Sequence, residues 1–132
     1  MDVVLDAWAA IALIEDEPAG TEVDSWLSRS RPRMSWVNVG EVFYALIRRY
    51  DEPSARRLVD ELVERSSAEA ADAQVCLAAA RFKARGGLSY ADAFVLATAQ
   101  KYRAPLLTGD DELIDFDAGQ DIEVIDLRAA RT

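Results

Sequence analysis

Four acidic residues stand apart from the rest of the chain by where they fall. Asp6 directly follows the apolar run Val3-Val4-Leu5, and Asp110 follows Leu106-Leu107-Thr108 across Gly109. Glu41 is the only acid between Asp24 and Asp51, and Asp92 the only one between Asp72 and Asp110, so neither belongs to a solvated charge run. The chain has no His and one Cys, which removes familiar zinc sites and His-based triads. Its chemistry must therefore run on carboxylates, hydroxyls, Lys or Arg.

Each acid has a plain structural explanation. Asn38-Val39-Gly40-Glu41 and Ser89-Tyr90-Ala91-Asp92 both read as capping boxes at helix starts, where an acid also gains from the helix dipole. Asp6 reads equally as an N-cap, and Asp110 as a turn acid or the cap of a short helix. Taken together they imply more. Two charges about 5 Å apart at an effective dielectric near 20 cost ~3 kcal/mol, and four such charges form six pairs. Protonation or a divalent cation must relieve that repulsion. An oxygen-only donor set favours a hard ion, Mg²⁺ or Mn²⁺, and such a site would suit phosphodiester hydrolysis.

The elements needed to gather these residues are legible. Val3-Val4-Leu5 reads as a buried strand, with an Ala-rich helix from Ala7 to Ile14 and a second from about Gly20 to Arg29. Met34 to Val37 is expected to be a weak strand, placing Trp36 in the core. The amphipathic helix that follows carries Val39, Val42, Phe43, Leu46, Ile47 and Tyr50 at helical spacing. Pro53 opens a helix to about Arg65 with Leu58, Leu62 and Val63 inward. A poor third strand is expected within Ser66 to Gln74, then a helix from Val75 to Arg85 stopped by Gly86-Gly87, and another from Ser89 to about Tyr102. Pro105 to Thr108 and Ile122 to Leu127 complete the strands. The alternation predicts an α/β fold with a central parallel sheet of four to five strands and helices on both faces. Ligands in such sheets bind beyond the carboxyl ends of the strands, where Asp6 and Asp110 fall.

Of 132 residues, 51% are apolar and 30% charged, a globular profile. No repeat, low-complexity tract or linker divides the chain, so a single domain over residues 1–132 is expected. The longest apolar run, Ala7 to Ile14, is eight residues and too short to span a membrane. No base precedes Arg29, so a secretory leader is not expected and a cytoplasmic location is. Cys76 reads as a buried thiol in a reducing compartment. With 24 acids against 15 bases, the net charge of −9 opposes nonspecific nucleic-acid binding and favours a cation or a basic protein partner. Arg48-Arg49, Arg56-Arg57 and Arg81 to Arg85 could hold phosphates or simply form solvated helix faces. Trp8, Trp26 and Trp36 could stack bases or receive a partner.

Val4-Leu5-Asp6, Val37-Asn38-Val39-Gly40-Glu41-Val42, Leu88-Ser89-Tyr90-Ala91-Asp92-Ala93 and Leu107-Thr108-Gly109-Asp110 together resemble the four acidic motifs of PIN-domain nucleases. Their order, spacing and chain length are similar to VapC-type toxins of toxin-antitoxin pairs. The resemblance implies a PIN-like three-layer α/β/α fold and Mg²⁺- or Mn²⁺-dependent endoribonuclease activity on RNA, inhibited by a VapB-type antitoxin protein. It also implies a homodimer. Carried over, Asp6, Glu41, Asp92 and Asp110 match the acidic quartet, with Asp6 and Asp92 as direct metal ligands, while Asn38 and Thr108 match supporting polar positions. Asp111, Asp115 and Asp117 compete with Asp110 for the fourth role. The departure lies after the first acid, where many relatives carry a hydroxyl residue and this chain has Ala7-Trp8, one fewer supporting hydrogen bond.

Two readings stand beside the toxin: a PIN nuclease of RNA maturation with no antitoxin, and a noncatalytic α/β interaction domain in which every acid is only a cap. A phosphoacceptor domain would need an Asp after a mid-chain strand, and dehalogenase-like phosphotransfer an Asp-x-Asp after the first. The chain offers neither, having Asp6-Ala7-Trp8 at the latter place.

Overall fold

Val3, Val4 and Leu5 are all buried to 1% exposure or less, which requires packed layers on both sides of one strand. In the computed structural model, which describes residues 1–119 and 121–131, that strand is β1 (Asp2–Leu5), and it lies at the centre of a five-stranded sheet. The chain continues through α1 (Ala7–Ile14), α2 (Pro18–Arg29), β2 (Arg31–Ser35), α3 (Trp36–Ile47), α4 (Glu52–Arg65), β3 (Ser67–Glu69), α5 (Ala73–Ala84) and α6 (Tyr90–Tyr102). It closes with β4 (Leu106–Thr108), α7 (Asp111–Asp115), β5 (Val124–Asp126) and a 3₁₀ turn at Arg128–Arg131. The strand order is β3-β2-β1-β4-β5 and every pairing is parallel. This is the three-layer α/β/α architecture with a five-stranded parallel sheet that the sequence predicts.

Alternation along β1 divides the core. Val3 and Leu5 join Met34 and Leu107 under α1 to α4, whereas Val4 and Leu106 pack with α5 to α7 through Val75, Phe82, Phe94, Leu96 and Leu113. In α6 the eight residues from Asp92 to Ala99 are all buried. The Ala-rich composition of α1 lets it lie close over the sheet, with Ala7, Ala9, Ala10 and Ala12 buried. Asp51, Asp72 and Ser89 cap α4, α5 and α6 by accepting hydrogen bonds from Ser54, Val75 and Asp92 N–H. Gly86 and Gly87 end the α5 connection at φ +81° and +84°, a region glycine enters without strain.

The second strand is earlier than its sequence pattern predicts. It spans Arg31–Ser35, and the expected strand residues Trp36 and Val37 instead open α3, because Ser35 Oγ accepts from Val37 N–H at 3.2 Å and caps that helix. Trp36 is consequently 48% exposed rather than in the core. Arg31-Pro32-Arg33 hid the strand, since charged residues and a proline without an N–H argue against an interior position. The capping-box reading of Asn38 and Glu41 fails for the same reason: the cap lies three residues upstream of Asn38. The last strand is also shorter than expected, Val124–Asp126, with Ile122 and Leu127 buried beyond its ends. Cys76, expected buried, is half-buried, its thiol 3.8 Å from the Ala71 carbonyl oxygen it donates to.

Candidate metal centre

The strand order places the carboxyl ends of β1 and β4 side by side, and Asp6 and Asp110 extend from them. Asp6 is both strand end and helix cap: its Oδ1 accepts from Ala9 N–H at 2.8 Å, and its Oδ2 is hydrogen-bonded by the Thr108 hydroxyl. The Thr108 oxygen in turn accepts from Asp110 N–H at 2.9 Å. Asp110 Oδ1 then accepts from Glu112 N–H at 2.9 Å, capping α7. One buried threonine thus fixes both acids.

The other two acids arrive on helices. Asp92 sits in the first turn of α6, where its N–H donates to Ser89 Oγ at 3.1 Å, and it is 6% exposed. Glu41 lies in the middle of α3, half-buried. Asn38, 1% exposed, ties these helices together: its Nδ2 donates to Glu41 Oε1 at 3.3 Å and to the Ala91 carbonyl at 2.9 Å. The Asn38 Oδ1 is buried without a partner, a polar orphan beside the acids.

Asp92, Asp110 and Glu112 each offer a carboxylate oxygen, and those oxygens lie within 4.8 Å of one another. They line an open cleft of about 510 Å³ together with Glu41 and Trp8. Asp6 lies behind the cleft, both of its oxygens engaged by Ala9 and Thr108, and is outside the three-oxygen group. Glu112 was not singled out from the sequence, where it disappears into Asp110-Asp111-Glu112. The signal was the expected cap at Asp110, because a helix-capping acid brings the residue two positions on beside it. The competing acids have other partners: Asp111 and Asp115 lie 3.2 and 3.9 Å from Arg128, and Asp117 accepts from Gly119 N–H at 3.1 Å.

The acids feel one another. Burial, reinforced by the charges of Asp92 and Asp110, pushes Asp6 up to about 8 against the partial relief of the Thr108 and Ala9 hydrogen bonds. Burial also raises Asp92 to about 7, with Asp110, Glu41 and Glu112 adding repulsion and Ser89 offsetting part of it. Glu41 is raised by burial and Asp110, against its bond from Asn38. Asp6 and Asp92 therefore hold protons near neutrality unless another positive charge replaces them. Its all-oxygen donor set and clustered carboxylates fit Mg²⁺ or Mn²⁺.

The arginine groups are placed mainly on the surface. Arg49 pairs with Glu15 at 3.2 Å, Arg56 with Asp60 at 2.9 Å, and Lys83 donates to the Leu88 carbonyl at 2.7 Å. Trp26 is half-buried under the Arg29 guanidinium, 4.3 Å from the ring centroid.

The PIN domain family model matches residues 3–119. No curated protein matches significantly by sequence. Among solved structures, the chain is similar to one in the Rickettsia felis VapBC2 complex bound to promoter DNA, with TM-score 0.76, 11% identity, and 96% of this chain and 98% of that one covered. It is similar to a chain of DNA-bound VapBC from Salmonella typhimurium, with TM-score 0.75 and 17% identity over 96% and 98% of the two chains. It also resembles one in VapBC-1 from nontypeable Haemophilus influenzae, with TM-score 0.73 and 20% identity over 97% and 99%. At these identities the likeness is one of fold.

Proposed function

The chain belongs to the PIN domain family, and on that premise we propose that residues 1–132 form one divalent-metal-dependent endoribonuclease domain, the toxin of a VapBC-type pair. The observation that carries this reading is the meeting of Asp92, Asp110 and Glu112 oxygens within 4.8 Å. That it lies in one open cleft with Glu41, in front of Asp6, supports it further. Asp92, Asp110 and Glu112 would hold Mg²⁺ or Mn²⁺, with Asp6 completing the acidic set from behind. Bound there, the cation would supply water activation and neutralise charge on an in-line phosphodiester transition state.

The protein's own groups have separate tasks. Thr108 orients Asp6 and Asp110 together, and Asn38 holds Glu41 toward the N-terminus of α6. The Glu41 carboxylate, raised by burial, suits a proton acceptor for the attacking water. An antitoxin would silence the cleft by inserting an Arg, whose planar fork pairs with two carboxylate oxygens and takes the cation's place. The neighbouring VapBC complexes support a VapB-type partner, and a homodimer and a cytoplasmic location belong to the same proposal. Among the described residues no helix is long and apolar enough to cross a membrane.

The test is a melting curve and an RNA cleavage assay in EDTA, Mg²⁺ and Mn²⁺, followed by co-purification with the product of the adjacent gene. Metal at one hundred times its dissociation constant should stabilise the fold by about 2.7 kcal/mol and switch on cleavage. No metal-linked stabilisation would sink the metal centre and leave a noncatalytic interaction domain. Cleavage without any inhibitory neighbour would indicate a nuclease of RNA maturation instead.

A further inference from the structure

Trp8 is the second residue of α1, two beyond Asp6, on a helix whose fully buried residues are all alanine. A Cβ added to Gly109 would lie 2.4, 2.4 and 2.6 Å from Cη2, Cζ2 and Cε2 of the Trp8 ring. Near-equal distances to three successive ring atoms place that point over the face of the six-membered ring, not at its edge. The Gly109 backbone therefore backs one face of the indole, and a glycine is required for so close an approach. The ring is only half-buried, and it lines the cleft that holds Glu41, Asp92, Asp110 and Glu112.

Trp8 packs in part against the core, but core packing alone does not account for a half-buried indole lining an acidic cleft. Extending the nuclease reading above, we propose that Trp8 is a substrate-positioning residue that stacks the base of a nucleotide flanking the scissile phosphate of single-stranded RNA. The physical need is clear in this cleft. Acid side chains repel an RNA backbone, so a contact indifferent to charge adds affinity where those side chains do not. Every base has a π face, and an aromatic ring held rigid from behind receives it without sequence readout. Purines, with the larger face, should be favoured over pyrimidines at that position.

The experiment compares wild type, Trp8→Phe and Trp8→Leu in Mn²⁺, using a cleaved oligoribonucleotide and versions abasic on either side of the cut bond. Stacking of ordinary strength predicts a rise in KM of roughly tenfold for wild type on one abasic substrate. Trp8→Leu should show a similar rise on the intact substrate, kcat within a few-fold of wild type, and little further loss when the base is removed. Trp8→Phe should recover most of the affinity, and it carries the same comparison if Trp8→Leu does not fold. Equal abasic penalties in wild type and variant, or a loss confined to kcat with a diminished Mn²⁺-induced shift in melting temperature, would overturn the stacking role and leave Trp8 a support for Gly109. Wild type that cleaves while Trp8→Leu keeps its KM overturns this inference alone; a wild type inert toward RNA overturns the nuclease reading as well.

Discussion

Replacing Asp6 by Asn should remove most of a pH-dependent weakness from the metal-free protein. Asp6 is raised from an ordinary 3.8 to about 8, chiefly because it is buried. Between those values the folded protein keeps the Asp6 proton while the unfolded chain has released it. The folded state then binds more protons, so stability falls as pH rises from about 4 to 8. Below that window both states are protonated and the slope vanishes, and above it the loss is complete. The interval of roughly four pH units sets an upper bound near 6 kcal/mol, of which relaxation and water entry around the carboxylate leave a few kcal/mol. Asn is a close mimic of the protonated acid here. Its oxygen can accept from Ala9 N–H as a good N-cap, and its amide can donate to Thr108 Oγ. Urea unfolding in EDTA at pH 5, 7 and 9 measures the effect. Wild type should lose stability steadily across the series and Asp6→Asn much less, with Asp92 and Glu41 supplying the remaining slope in the same direction. A wild type that gains stability from pH 5 to 9, or a variant with an unchanged slope, would refute the account of Asp6 as a buried acid held against its charge.

Asp92→Asn should abolish RNA cleavage and the metal-linked stabilisation while the protein stays folded. In EDTA above pH 7 it should even be more stable than wild type, since a carboxyl raised to about 7 has been removed; circular dichroism melts and a cleavage assay decide, and an unfolded variant would return Asp92 to a structural role. Gly20→Ala should destabilise the packing of α1 on α2 by about 1–3 kcal/mol, because the new Cβ would meet the Ala12 carbonyl oxygen at 2.5 Å, a backbone atom that cannot swing aside. Gly109→Ala should cost a similar amount by driving a methyl into the Trp8 ring, and Trp8→Leu in the same chain should recover part of it; strictly additive losses in urea melts would show that the two residues do not share that space.

The alternation of strand and helix was legible because its signals are local. An apolar triplet such as Val3-Val4-Leu5, Gly86-Gly87 after a helix and Ser89 before one act within a turn of chain, so α1 has the bounds its sequence predicts and β4 starts one residue inside them. Where local signals conflicted, neighbouring layers decided. Arg31-Pro32-Arg33 became an interior strand between β1 and β3 because pairing and burial of Met34 outweigh a poor strand composition, and Ser35 then started α3 before Trp36. The isolation of Glu41 and Asp92 marked them on the sequence alone, since an acid among apolar residues needs a reason. No spacing along the chain could state that Asn38 bridges Glu41 to the turn before Asp92, or that Thr108 holds Asp6 and Asp110 at once. Nor could it select Glu112 over Asp111, neighbours in sequence whose carboxylates point respectively into the acid cluster and toward Arg128. Residue type and order therefore determined which elements form and which acids merit attention. Their convergence was decided by the parallel order of β1 beside β4, because charge coupling and metal geometry depend on distances of a few ångströms that only the packed sheet and its helices set.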